Sequence, residues 1–388
     1  MTLHPLWGHE AERLMLARAR QEGTLPSTLL LHGPRGVGKQ RLALWMAQLL
    51  LCESPEEEPC GCCHSCRLTL GLQHPDLHWH FPLSRPKGAS GDRLGEALEK
   101  ERSRVLEQTR VTPIRFVHLA SPFGIYLAAI QTLRRRAQSR PSMGNEQIFV
   151  VGNAEALVPQ EASPEAANAL LKLLEEPPTQ TRLILTSSEP GRLLSTVRSR
   201  TVPLYVGRLP GETVKRFLEK EAGVDAATAG GVSALADGSI GRALGFLPDD
   251  EGVVPLEQLR LRALELVRAS LSPKQGDAFA LALSFAPTGG RSLVELLNFL
   301  DQAIRDVAAV AAGAPERALN PEIADLMQRA GSENTPHPTD AAKCLAAVER
   351  CRELARGNVN PQLLIAGLTG DLRHSLLGKG QSPEGSPS

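Results

Sequence analysis

Thr28-Leu29-Leu30-Leu31-His32-Gly33-Pro34-Arg35-Gly36-Val37-Gly38-Lys39-Gln40 is the stretch that decides the fold. Its first five residues are a short apolar run, the pattern of a buried strand. Its last eight fit G-x-x-x-x-G-K, a phosphate-binding loop when it joins a strand to a helix. The helix follows at once: Leu42, Trp45, Met46, Leu49 and Leu50 recur at three- and four-residue steps and make one apolar face. The glycines let the backbone curl, so consecutive N–H groups face a phosphate and the positive helix end adds to them. Gly33, Gly36, Gly38, Lys39 and Gln40 are therefore the candidate nucleotide-binding residues, with Lys39 reaching for the terminal phosphates.

The last of these positions departs from the working pattern. A hydrolytic loop carries Ser or Thr there, whose hydroxyl binds Mg²⁺. Gln40 offers a longer amide that matches the metal poorly. A second apolar run, Ile148–Val151, should deliver an Asp for Mg²⁺ and a Glu for the attacking water. Gly152 and Asn153 follow it instead, and Glu155, two residues on, should point elsewhere. Phosphoryl transfer depends on the metal and a placed water. The sequence therefore predicts a site with little or no hydrolysis, and leaves open whether ATP or ADP binds at Lys39.

Outward from the loop, apolar runs at Asp76–Phe81, Arg182–Thr186 and Val202–Val206 read as further strands. They alternate with helical stretches over residues 1–27, Ile125–Ala137 and Glu165–Glu176, the last stopped by Pro177-Pro178. Short apolar strands between helices predict an α/β domain with a parallel sheet covered on both faces. Residues 82–115 are charged and rich in Gly and Ser, and read as an exposed insertion, partly helical between Asp92 and Gln108. After Gly207 the pattern is all-helical, with a Gly- and Ala-rich unit over 207–250. A longer domain over 251–375 has amphipathic runs such as Leu256–Ser270 and Ser292–Ala311. The tail, residues 376–388, is expected to be disordered. The length of 388 residues suits such a three-part division.

The 43 basic and 43 acidic side chains balance, so there is no global pull toward nucleic acid or membrane. No apolar run is long enough to span a bilayer, and the first residues lack the layout of a signal peptide, which predicts a cytoplasmic protein. There thiols stay reduced, and clustered cysteines point to metal. Five of the seven cysteines lie between Cys52 and Cys66. Cys60, Cys63 and Cys66 are spaced C-x2-C-x2-C, and with Cys52 they can enclose a tetrahedral structural Zn²⁺. An iron–sulfur run needs another Cys three residues on, where Arg67-Leu68-Thr69-Leu70 stand. Cys62 is an extra thiol, and His64 the less regular ligand. Cys344 and Cys351 read as ordinary helix residues, and His78 and His80 as strand side chains. Arg134-Arg135-Arg136 reads as a solvated face in preference to a DNA contact.

Pro26–Lys39, the block Asn168-Ala169-Leu170-Leu171-Lys172-Leu173-Leu174-Glu175-Glu176-Pro177-Pro178, and Thr196-Val197-Arg198-Ser199-Arg200-Thr201 carry a resemblance. Together they resemble the bacterial clamp-loader subunits of the AAA+ class. A weaker likeness extends to Gly357-Asn358-Val359-Asn360-Pro361. The resemblance implies an AAA+ P-loop domain over 1–206 with a zinc module at about 52–66, a helical lid over 207–250 and an all-α collar over 251–375. Motor-type members keep G-K-T, an acidic pair, and G-S-x-R-D-A-L, whose Arg senses nucleotide. This chain has Gln40, Gly152-Asn153, and Gly238-Ser239-Ile240-Gly241-Arg242-Ala243-Leu244, with Gly241 in the place of the sensing Arg. These departures resemble the delta-prime branch of DNA polymerase III. By the same resemblance Arg200 is a candidate catalytic residue, an arginine finger for a neighbour's ATP, with Thr201 where the family has Cys. The alternative is an Arg200 paired with a surface acid. The implied function is loading a sliding clamp on primed DNA for replication. The implied partners are motor (gamma/tau-type) and delta subunits, the clamp, and primed DNA within the complex, with no membrane. The rival reading is a self-contained ATPase acting on DNA.

Overall fold

Strand β1 (Thr28–His32) lies inside the sheet, as its unbroken apolar run requires. The computed structural model describes residues 3–114, 123–157, 164–249, 252–272, 275–284, 290–330, 336–355 and 359–377. The tail beyond Leu377 and Gly357-Asn358 fall outside the described residues. Residues up to Gly245 make one compact unit and those from Phe246 a second.

In the first unit, α1 (Glu10–Gln21) precedes β1, and the phosphate loop leads into α2 (Lys39–Leu51) and α3 (His64–Leu70). Then come β2 (Leu77–His80), β3 (Leu83–Ser84), α4 (Asp92–Val111), β4 (Phe123–Gly124), α5 (Leu127–Ala137), β5 (Gln147–Val151) and α6 (Glu165–Glu175). The unit ends with β6 (Thr181–Ser187), α7 (Ser195–Arg198), β7 (Val202–Tyr205), α8 (Gly211–Lys220), α9 (Ala226–Ala236) and α10 (Ile240–Leu244). Among the described residues β2-β5-β6-β1-β7 form one parallel sheet in that order, and β3 pairs antiparallel with β4. This is the α/β class with a parallel sheet that the sequence implied.

Strand alternation divides the core. Leu29, Leu31, Ile148, Val150 and Ile184 face Leu42, Met46 and Leu49 of α2 and Leu16 of α1. Leu30, Phe149, Val151, Leu183 and Leu185 face Ile130 and Leu133 of α5 and Leu170, Leu173 and Leu174 of α6. Side chains on a strand point alternately to the two faces, so a sheet covered on both sides needs apolar residues at every position. Each such side chain contributes about 1.5–3 kcal/mol when fully buried.

Two expectations change. Of residues 3–27 only Glu10–Gln21 is helical: Gly8 and His9 precede it and Gly23 follows it, all with positive φ, which ends a helix on both sides. The insertion is not simply exposed. Its helix α4 buries Leu98, Leu106 and most of Arg102. The Arg102 guanidinium donates to the Trp79 carbonyl at 3.4 Å on the open edge of β2. Glu99 accepts from Arg102 at 2.9 Å and from Arg136 at 2.8 Å. A mixed-charge helix can thus cover a sheet edge, where unpaired carbonyls invite wrong pairing. Burial, with Arg136 and Arg102 nearby, pulls His78 down to about 4; burial and Arg102 pull His80 down to about 3.

The second unit is helical: α11 (Pro255–Leu271), α12 (Gln275–Ser284), α13 (Gly290–Ala311), α14 (Pro321–Ala330), α15 (Pro338–Leu354) and α16 (Pro361–Leu377). Its buried Arg260 donates to Glu257, Glu322 and Asn320, so the charge is paired. Cys344 and Cys351 lie buried in α15.

Candidate functional site

The loop from Gly33 to Gly38 leaves the C-terminal end of β1 and enters α2. Gly33, Gly36 and Gly38 all have positive φ. A Cβ on Gly33 would run into the Val206 carbonyl oxygen, so glycine is required there by contact as well as by torsion. Lys39 is buried. Its ammonium donates to the carbonyls of Gly33 (2.9 Å) and Pro34 (2.6 Å) and to Ser188 Oγ (2.9 Å). An ammonium has three N–H donors, and all three are engaged within the protein. Burial lowers its pKa to about 8, with the Glu155 carboxylate opposing the shift.

Gln40 lies against Gly152. A Cβ at Gly152 would come within 2.7 Å of Gln40 Oε1 and 2.8 Å of its Cδ. Gln40 Nε2 donates to Asn153 Oδ1 at 3.2 Å. Asn153 is in the left-handed region at φ 51, which Asn tolerates better than most residues, and its N–H donates to Thr186 Oγ1 at 3.0 Å. The three departures from the hydrolytic pattern are thus one packed group. Glu155 is turned to the Ser188 amide at 3.3 Å.

The stretch Gly238–Leu244 closes on the loop. The Gly241 amide donates to the Gly36 carbonyl at 2.9 Å, and Ser239 Oγ donates to the Arg35 carbonyl at 3.1 Å. A Cβ on Gly241 would lie 2.9 Å from Gly36 Cα. Backbone meets backbone where a sensing side chain would have to stand.

Cys52 ends α2, Cys63 caps α3, and Cys66 lies within α3. With Cys60 these place four sulfurs within 4.8 Å of one another. Four Zn–S bonds of about 2.3 Å set tetrahedral S···S distances of roughly 3.8 Å, so this donor set can hold a metal ion. Backbone amides already point at the sulfurs: Cys60 N to Cys52 Sγ at 3.3 Å, Cys63 N to Cys60 Sγ at 3.4 Å and Cys66 N to Cys63 Sγ at 3.3 Å. The Cys63 and Cys62 amides pull the Cys60 thiol down to about 6. Cys62 and His64 stand outside the group.

Arg200 lies at the other end of β1, where its carbonyl accepts from Thr28 Oγ1 at 2.7 Å. Its side chain is about a third exposed and pairs with Glu175, the last residue of α6. The surface-acid pairing weighed from the sequence is therefore present. Glu175, Ser188, Thr186 and Ser239 escaped sequence reading as site residues. Glu175 and Ser239 lay inside motifs already recognised; the other two carry no local pattern.

A family model described as DNA polymerase III, delta subunit, matches residues 8–209, more than half of the chain. The chain is 32% identical over 179 residues to the DNA polymerase III subunit delta' of Yersinia pestis, covering 46% of this chain and 41% of that one. To the delta' subunit of Escherichia coli K12 it is 27% identical over 236 residues, covering 61% and 58%. To the DNA polymerase III subunit tau of Salmonella typhimurium it is 26% identical over 357 residues, covering 90% of this chain and 47% of the relative. The matches thus span about two fifths to three fifths of these relatives' own lengths.

Proposed function

Because the chain belongs to the DNA polymerase III delta-subunit family, we propose that it is a delta-prime-like subunit of the replicative clamp loader that hydrolyses no ATP itself. The observation that carries this is Gln40 packed on Gly152 and bonded to Asn153, where a hydrolytic site needs a hydroxyl and two carboxylates.

In this role Arg200 reaches the ATP of a neighbouring motor subunit, and a guanidinium spreads positive charge over the transferring phosphoryl group. The partners are motor (gamma/tau-type) and delta subunits, the sliding clamp, and primed DNA within the complex. Residues 1–206 act as the P-loop domain, 207–250 as lid and 251–375 as the collar that joins other subunits. Among the described residues no helix is long and apolar enough to cross a membrane, which suits the cytoplasmic setting of a replication protein. Cys52, Cys60, Cys63 and Cys66 hold one structural Zn²⁺, which ties the end of α2 to α3. Elemental analysis should find about one zinc per chain and no iron.

The test is ATP turnover by the purified chain and by the complex reconstituted with its partner subunits. Negligible turnover alone, with clamp loading that survives Lys39→Ala, is expected. Turnover at the rate of a motor subunit, abolished by Lys39→Ala, would establish the rival self-contained ATPase.

A further inference from the structure

Arg200 offers the Nε/Nη2 edge of its guanidinium to a single carboxylate oxygen. Nε donates to Glu175 Oε1 at 2.8 Å, and Nη2 lies 2.5 Å from the same atom. Nη1 donates to the Thr196 carbonyl at 3.0 Å and meets Ser199 Oγ at 3.4 Å. Guanidinium donors grip carboxylate and phosphate oxygens through the same N–H groups. The edge that would receive a phosphoryl oxygen is therefore held by a carboxylate.

The setting of the pair bears on its purpose. Glu175 ends α6, which Leu170, Leu173 and Leu174 anchor in the core. Pro177-Pro178 stops the helix from running on over the corner. A carboxylate at a helix C-terminus faces the negative end of the dipole and is disfavoured there, so its place is not explained by helix stability. Arg200 is fixed through its own backbone, by its N–H on the Val197 carbonyl at 3.2 Å and its carbonyl on Thr28. Both backbones are held, yet the side chains are 33% and 45% exposed. An anion from outside can reach this pair, and exposed ion pairs are weak enough to exchange.

We propose that Glu175 is a positioning residue and latch for Arg200. It holds the guanidinium in place in the resting subunit, and a phosphoryl oxygen of a neighbour's bound ATP takes its place on the Nε/Nη2 edge when the ring closes. The proposal rests on the reading of Arg200 as a finger in trans. The exchange is one of hydrogen bonds and charge; no covalent bond changes.

The experiment is ATP hydrolysis by the reconstituted complex, with and without primed DNA and clamp, for chains carrying Glu175→Gln, Arg200→Ala and both. Glu175→Gln should raise the DNA-independent rate at the site Arg200 serves by up to about fivefold, given the strength of exposed ion pairs, and the total rate of the complex by less. It should leave the DNA-stimulated rate near wild type, so the stimulation ratio falls. In the Arg200→Ala background, Glu175→Gln should change nothing further. A fall in both rates by the same factor would make Glu175 a fold or assembly residue and overturn the latch. So would an unchanged stimulation ratio when Arg200→Ala alone is impaired. If Arg200→Ala alone leaves both rates intact, the finger reading itself fails, which separates that failure from failure of the latch.

Discussion

The two ends of β1 carry opposite solutions to the same chemistry. At the C-terminal end the phosphate loop keeps its glycines, but its lysine is buried on its own carbonyls, its metal position is filled by Gln40, and Gly241 closes over Gly36. At the N-terminal end the Arg200 side chain is about a third exposed, paired with the Glu175 carboxylate and bonded to the Thr196 carbonyl. On the proposed function, a loop is retained for its packing without hydrolysing ATP, while one guanidinium at a rim keeps a chemical use. The glycines answer to sterics; the arginine answers to Glu175 within the chain and, in the proposed role, to a phosphate outside it.

The largest expected effect tests the rim. Arg200→Ala should lower hydrolysis at the one neighbouring site it serves by about 10³–10⁵. Across a ring whose other sites keep their own fingers, the total rate and clamp loading should fall only partially. Arg200→Lys should not rescue, because an ammonium lacks the planar fork. Unfolding of the free chain should be unaltered beyond the loss of an exposed ion pair, less than about 1 kcal/mol. Unchanged hydrolysis would erase the contrast between the two ends.

Gly33→Ala tests the other end. The new methyl meets the Val206 carbonyl at a positive φ, and backbone cannot give way as a side chain can. The unit should lose several kcal/mol, about 3 or more. All three tryptophans, Trp7, Trp45 and Trp79, lie in this unit, so their fluorescence in a denaturant titration reads it without the helical unit. A loss under about 1 kcal/mol would mean that the loop is not held by packing.

Acid sharpens the comparison along the sheet, on edge strand β2. His78 and His80 are held near 4 and 3 when folded, against 6.5 unfolded. Between those values the unfolded chain binds protons that the folded one refuses, so stability falls as pH falls from about 6.5 toward 4, by on the order of a few kcal/mol. Above pH 7 the two histidines contribute no slope. His80→Leu should flatten the upper part of this limb, before most carboxylates titrate, as read by the same fluorescence.

Most of the fold was legible because it rests on local pattern. β1 falls on the run Thr28–His32, β5 and β6 extend the expected runs by a residue or so, and α6 stops before its two prolines. The cysteine group was legible from spacing alone. What escaped was set by tertiary approach. Nothing in the charge pattern of α4 shows that Arg102 would turn in to the Trp79 carbonyl. The sequence treats Gln40 and Gly152 as separate departures, though they lie 112 positions apart in one contact. Glu175 looked like helix, and its meeting with Arg200 is made by the turn after β6.

That contact sets the smallest effect and the most specific one. Gln40→Thr removes the bond to Asn153 and leaves a gap over Gly152, a cost of about 1 kcal/mol. Gly152→Asp places a Cβ within 3.0 Å of the Gln40 amide. That amide is the far end of a flexible chain and can swing aside, so the cost is again about 1 kcal/mol. Made together, the shorter side chain clears the space that the new carboxylate needs. The double variant should therefore be more stable than the sum of the single losses, by about 0.5–1 kcal/mol, within the range seen for touching residues. Two substitutions still do not rebuild the hydrolytic site, because Asn153 holds a left-handed backbone that a Glu would occupy with strain. Turnover should stay negligible in the double variant. Strict additivity in the denaturation cycle would show that Gln40 and Gly152 are independent losses, and the C-terminal end of β1 would be a decayed site and not a packed one.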